Sequence, residues 1–233
     1  MKPTLNAGLI LGMIFLSTNT FGQSLDLVPE HTKKDRTTQS TYLDPVLKMV
    51  STSMNYGSSN ASLADYKKQS RGVQAGLTFQ AGLTPDFSLA SELYLIMKGG
   101  KLKGNNPITG KETSDKLYSL ELPVLARLHV GKFYTNAGPS VSFNLYGNRK
   151  MDGQKRDLSF GNAGQDFKSL EAGIQVGGGY TFKAKQRMVT LDFRYNHGLT
   201  NISNTREIYN RNVMISMHVY QPWKSNLFST NKK

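Results

Sequence analysis

Between Val73 and Ala81 the chain reads VQAGLTFQA, so that Val73, Ala75, Leu77, Phe79 and Ala81 alternate with Gln74, Gly76, Thr78 and Gln80. The period of two returns at Leu120, Leu122, Val124, Ala126, Leu128 and Val130 against Glu121, Pro123, Leu125, Arg127 and His129. It returns again at Leu170, Ala172, Ile174, Val176, Gly178 and Tyr180 against Glu171, Gly173, Gln175, Gly177 and Gly179. Val189, Leu191, Phe193 and Tyr195 oppose Thr190, Asp192, Arg194 and Asn196, while Val213, Ile215, Met217 and Val219 oppose Met214, Ser216 and His218. A helix cannot sort such a series onto two faces, and a strand does so by its pleat. The pattern predicts eight strands, over Val46–Tyr56, Gly72–Ala81, Ser88–Lys98, Leu117–Val130, Phe133–Tyr146, Ser169–Phe182, Met188–Leu199 and Asn212–Tyr220. In the first of these Lys48, Thr52 and Ser53 blur the alternation.

The connections alternate in length. Links after the second, fourth and sixth strands are tight (Gly82–Phe87, Gly131-Lys132 and Lys183–Arg187), whereas those after the first, third, fifth and seventh are long (Gly57–Arg71, Gly99–Lys116, Gly147–Lys168 and Thr200–Arg211). Short turns at one rim and long loops at the other describe an all-β fold, an eight-stranded antiparallel up-and-down transmembrane β-barrel. The short turns would then mark the periplasmic rim, with both termini on that side. The competing arrangement is a water-soluble barrel with its apolar face inward. The polar face carries Glu92, Lys98, Glu121, Arg127, Glu171, Asp192 and Arg194 together with Gly76, Gly173, Gly177 and Gly179. Small residues and charges together suit the crowded axis of a narrow barrel better than a solvated exterior. Aromatic residues near run ends, among them Tyr118, Phe133, Tyr146 and Phe182, suit the two girdles of a spanning barrel.

Outside the alternating region, Lys2 and the apolar run Ala7–Leu16 followed by Thr20-Phe21-Gly22 read as an export signal over residues 1–22. A polar periplasmic segment over 23–44, a barrel over 45–223 and a basic tail over 224–233 complete the expected organisation. The 233-residue chain has no Cys, which excludes disulfide frameworks, thiolate metal sites and a lipid anchor on a mature N-terminal cysteine. Its net charge of +13 becomes +12 on loss of the signal, which holds one Lys and no acid. A mean hydropathy of -0.43 does not argue against the membrane, because alternating strands average low.

The run Tyr118–Phe143 (YSLELPVLARLHVGKFYTNAGPSVSF), the run Leu170–Phe182 and the run Leu191–Ile202 resemble the PorT-like outer-membrane β-barrel family, most closely in Leu120–Pro123, in Ala137–Pro139 and in Arg194-Tyr195 followed by Gly198–Asn201. The resemblance covers roughly Gly72 to Tyr220. It implies a barrel in the outer membrane of a Gram-negative-type cell, and some relatives assist secretion or surface motility. The polar segment 23–44 departs from the family pattern. So does the chain end, where Tyr220 or Trp223 would have to serve as an internal assembly signal.

Candidate chemistry is sparse, and no catalytic residue, cofactor or metal ligand is expected. Glu92, Glu121, Arg127, Glu171, Asp192 and Arg194 form an expected lumen charge network, with Glu92, Arg127, Asp192 and Arg194 at similar depth near the short-turn rim. Such charges read as a plug of ion pairs rather than a conducting path, since unpaired buried charge is costly. Ser216 and His218 share one strand face, and a carboxylate such as Asp192 could orient the imidazole as a nucleophilic triad requires, but they face the lumen. On the long-loop side fifteen cations, counting Lys98, outnumber seven acids. Lys101, Lys103, Lys111, Arg149, Lys150, Lys155 and Arg156 are the expected contacts to anionic lipopolysaccharide. An exported barrel gives this charge no nucleic-acid partner. The function expected is a structural or accessory role at the envelope, with an envelope or secretion protein as a further partner; a narrow porin is the alternative.

Overall fold

A computed structural model describes residues 39, 41–161 and 164–220. The expected export signal, residues 23–38 of the polar segment, Trp223 and the basic tail lie outside the described residues. Ten strands follow in order: β1 (Tyr42–Tyr56), β2 (Lys67–Lys68), β3 (Ser70–Gly82), β4 (Phe87–Leu102), β5 (Thr113–Val130), β6 (Phe133–Met151), β7 (Gln154–Asp157), β8 (Leu170–Ala184), β9 (Arg187–Gly198) and β10 (Ile208–Tyr220). A 3₁₀ stretch, Ser58–Tyr66, lies in the loop after β1.

Eight of these strands close on themselves. Each long strand pairs antiparallel with the next, and β1 pairs with β10 from Lys48↔Ser216 to Tyr56↔Ile208, so no long strand has a free edge. Closure satisfies every ladder without water, the condition for crossing hydrocarbon with strands. At the seam the Tyr42 and Tyr220 rings stack with centroids 4.0 Å apart. The short strands β2 and β7 extend β4 and β6 at the long-loop rim.

Orientation settles the choice between the two barrels. Along β3 the side chains of Gln74, Thr78 and Gln80 are buried in the lumen while Val73 and Leu77 are exposed. On the outer wall Leu47 is 68% exposed, Met49 74% and Val130 76%, in a band with Leu95, Leu128, Phe193, Ile215 and Met217. An apolar surface continuous around a whole barrel requires acyl chains rather than water. Tyr118 and Tyr146 contact each other at the long-loop end of this band (5.8 Å between centroids), and Phe133 and Tyr180 do so at the short-turn end (4.8 Å). From Phe133 to Tyr146 along β6 is roughly 33 Å across the bilayer for a strand tilted by about 40°, which matches a hydrocarbon core with aromatic rims.

The strands begin and end differently from the sequence expectation in a consistent way. β1 starts at Tyr42, inside the expected periplasmic segment, because Tyr42, Leu43 and Asp44 pair with Gln80, Phe79 and Thr78. At the other rim β4 continues to Leu102, β6 to Met151, and β5 already begins at Thr113. Above the lipid the outward face of these extensions is polar, so the ladder continues where the alternation of apolar residues stops. A register shift at Tyr118/Ser119 leaves Leu145 without a partner on β5, and Leu145 and Tyr146 both face outward.

The lumen is narrow enough that glycine is required where large side chains cross it. A Cβ on Gly179 would lie 2.4 Å from the Tyr134 hydroxyl and 2.4 Å from the Leu191 carbonyl oxygen. Gly179→Val is therefore expected to displace Tyr134 and to cost about 1–3 kcal/mol. Urea unfolding of the refolded barrel measures this, and the exposed Ala75→Val is the neutral control.

Candidate functional site

Three levels of side chains fill the axis. In the level nearer the short turns, Glu92 on β4 is gripped from both sides: Lys48 Nζ lies 2.6 Å from Oε2, and Arg194 donates from Nη1 to Oε2 at 2.9 Å and from Nη2 to Oε1 at 2.8 Å. Arg194 also pairs through Nε with Asp192 at 2.8 Å, and Asp192 accepts from the Tyr134 hydroxyl. The next level holds Lys98, 2.5 Å from Glu171 and 3.8 Å from Glu121. Tyr94 donates to Glu121 at 2.9 Å and Gln175 donates to it at 2.7 Å, while Asn210 donates to Glu171 at 2.9 Å. Val50, Tyr94, Ile96 and Met214 pack between the two charged levels.

The third level is apolar. Met54, Leu117, Leu158, Phe167, Ile202 and Ile208 cluster at the long-loop mouth with Tyr56 and Phe160 against them. The loops after β7 and β9 make this cap together, since Lys168 donates its backbone N–H to the Ile202 carbonyl at 2.8 Å and Phe167 bridges to Ser203.

All six residues expected in the lumen network are buried there, but not in the expected arrangement. Arg127 does not pair with Glu92. Arg127 sits opposite Ser88, nearer the turn, and its guanidinium lies over the Tyr134 ring at 4.2 Å, with Nη1 donating to Gln80 and, at 3.2 Å, to the Tyr42 hydroxyl. Lys48, which Glu92 takes as a partner together with Arg194, is one of the three residues that blur the alternation in β1. Val46, Val50 and Met54 share its inward face, and Leu43, Leu47 and Met49 point out, so both faces of β1 are apolar and the parity is hidden. Lys98, counted with the rim cations, points into the lumen and is fully buried.

Ser216 and His218 are brought together, with Oγ 2.9 Å from Nε2. Among the described residues His218 Nδ1 has no hydrogen-bond partner, and Asp192 is held by Arg194 and Tyr134, so no carboxylate orients the imidazole. Among the described residues no group of three metal-ligating side chains forms either.

The outer face of the long-loop rim has its own order. Asp152 and Gly153 adopt φ of +53° and +83° and make a two-residue turn that folds β7 back onto β6. An Asp-Gly pair favours this turn; it is the signal in the sequence that a loop reading of Gly147–Lys168 passes over. The hairpin completes a row: Lys68 lies opposite Lys101, Lys101 opposite Ser114, Ser114 opposite Lys150, and Lys150 opposite Lys155. Directly opposed residues project from the same face. Because Leu102, Thr113 and Asp115 beside them are the buried ones, this row of four lysines and a serine faces outward, roughly 13 Å along the strand beyond Tyr118.

The other expected rim contacts are already engaged. Arg149 forks onto Asp115 at 2.6 and 2.7 Å, Arg156 onto Asp166 at 2.7 and 2.8 Å, Lys111 reaches Asp152 at 2.7 Å, and Lys103 donates to the Asp65 carbonyl at 2.8 Å. The hydrogen bonds from Arg156 hold the Asp166 carboxyl well below the usual carboxylate range, and Lys111 lowers Asp152 in the same way. Lys101, Lys150 and Lys155 have no ion pair among the described residues, and Lys68 has only a 3.9 Å contact to Glu112.

A family model described as outer membrane protein beta-barrel domain matches residues 45–204. The chain belongs to this family. It is therefore an outer-membrane β-barrel. Among solved structures it is similar to Neisserial surface protein A (10% identity, 78% of this chain and 99% of that chain covered, TM-score 0.46). It is also similar to Ail, the attachment invasion locus protein of Yersinia pestis (10% identity, 78% and 98% covered, TM-score 0.42). No curated protein matches.

The Glu92 clamp gives a direct test of the lumen. Arg194→Met removes two of the hydrogen bonds on Glu92 and the ion pair of Asp192, leaving buried carboxylate uncompensated. The barrel is expected to lose about 3–5 kcal/mol, while an Arg194→Met, Asp192→Asn double variant, which keeps the Lys48–Glu92 pair and leaves neither carboxylate unmatched, recovers much of it. Equilibrium urea unfolding in detergent or lipid measures both.

Proposed function

We propose that this protein is a non-conducting barrel with a structural or accessory role at the cell envelope, exercised through its outer surface. The observation that carries this reading is the outward row of Lys68, Lys101, Lys150 and Lys155 across five strands. Like charges directly opposed on a sheet destabilise it, and phosphate groups lying against the row remove the repulsion. With the long loops outside the cell and both termini periplasmic, the row stands at the level of the phosphates of lipopolysaccharide in the outer leaflet. The filled axis supports the same reading over the narrow porin. The buried Ser216–His218 pair, without a carboxylate, supports a non-catalytic role. An export signal over residues 1–22 would deliver the chain, and the likeness of Leu120–Pro123 and Arg194–Asn201 to PorT-like proteins favours an envelope or secretion protein as a further partner.

The test is to refold the full chain into lipopolysaccharide and into phospholipid. Lipopolysaccharide is expected to bind in a salt-dependent manner, and K101Q/K150Q/K155Q is expected to weaken it on the order of 100-fold without changing the unfolding midpoint in phospholipid. Equal affinity of variant and native chain would remove the lipid reading. In planar bilayers no steady conductance is expected; a stable pore-sized current would restore the porin.

A further inference from the structure

The short-turn mouth of the lumen holds a cavity of about 240 Å³ whose wall includes Arg127, His129, Lys132, Tyr134, Thr181 and Lys183, and among the described residues no Asp or Glu lines it. Arg127 is 4% exposed, so its charge is withdrawn from water. The other three buried cations of the lumen, Lys48, Lys98 and Arg194, each lie within 2.8 Å of a carboxylate oxygen. Arg127 has no carboxylate in ion-pair contact among the described residues. Its Nη1 is shared between two neutral oxygens, its Nε has no partner, and one face lies on the Tyr134 ring. Asp192 is one hydrogen bond further away, behind the Tyr134 hydroxyl, and is neutralised by Arg194.

A buried guanidinium compensated only by neutral groups and a ring face is electrostatically incomplete, because desolvation is offset fully only by an opposite charge. Lys132 and Lys183, on the adjoining turn and strand end, are exposed and add two more cations at the entrance. Ser88 holds the His129 ring at the wall through a 2.7 Å contact to Nε2.

We propose that this cavity is a binding site for a small oxyanion, the carboxylate or phosphate of a soluble molecule on the short-turn side, with Arg127 supplying the buried charge and Lys132 and Lys183 guiding entry. The site is at the opposite end of the barrel from the lysine row and does not depend on lipid binding there.

Inorganic phosphate and succinate are the probes, titrated calorimetrically against the full chain refolded in a maltoside detergent free of phosphate. One equivalent of either is expected to bind, each displacing the other. K132S/K183S is expected to weaken binding about fivefold, and R127Q to abolish it or weaken it on the order of 100-fold. K101Q/K150Q/K155Q is expected to leave it unchanged. Because Lys132 lies on a turn and Lys183 at the exposed end of β8, their variant decides the matter even where R127Q fails to refold. Absence of saturable binding by both probes would overturn the proposal, as would binding retained in K132S/K183S but lost in K101Q/K150Q/K155Q.

Discussion

Glu92 is held by two cations, Arg194 from β9 on the facing wall and Lys48 from β1, two strands round the barrel from β4. A carboxylate withdrawn from water at the axis of a narrow barrel has to be met by positive charge from the opposite wall, and that requirement fixes how the walls face each other. Lys98 with Glu171 and Glu121 imposes the same condition nearer the loops. Backbone ladders close the cylinder, but a ladder alone tolerates slippage by two residues; the ion pairs do not, because a slip separates charges that cannot be solvated. In hydrocarbon the outer wall contributes little to this choice, since lipid tails meet one leucine as well as another. Specificity is therefore concentrated inside.

The outside is ordered by a different constraint. Within the lipid the alternation is apolar out and polar in. Beyond Tyr118 and Tyr146 the same strands continue with lysine and serine outward and the Asp115–Arg149 pair inward. The β6–β7 hairpin and the two-residue strand β2 widen this collar to five strands. The barrel thus carries two charge arrangements with opposite logic: a lumen in which, among the described residues, four carboxylates are shared by Lys48, Lys98 and Arg194, and a collar whose lysines meet almost none.

The fold was legible in the sequence because its strongest signals lie where lipid enforces them. β3, β5, β8, β9 and β10 face acyl chains over most of their length, and their alternation survives every local irregularity. β1 was harder to read because Val46, Val50 and Met54 fill the lumen around Lys48, giving it apolar residues on both faces. The lumen residues were legible as a set but not as pairs: relative depth depends on strand tilt and stagger, which the spacing within each strand does not encode. Depth counted along each strand therefore sets Arg127 beside Glu92, whereas the register sets it opposite Ser88. Of the lysine row the sequence shows Lys101, Lys150 and Lys155 as candidate contacts but not their alignment, since they come from distant segments joined by registers above the lipid, where no hydrophobic period marks a strand.

The stacked rings of Tyr42 and Tyr220 join the first and last strands of the described chain, the pair most distant in sequence. Until they meet, the sheet has two open edges, each able to pair with any other unfinished chain nearby. Assembly is consequently a race between self-closure and mutual capture, with the long-range contact that wins it formed last. A cell making this protein has to keep its emerging copies apart until both ends of each are available.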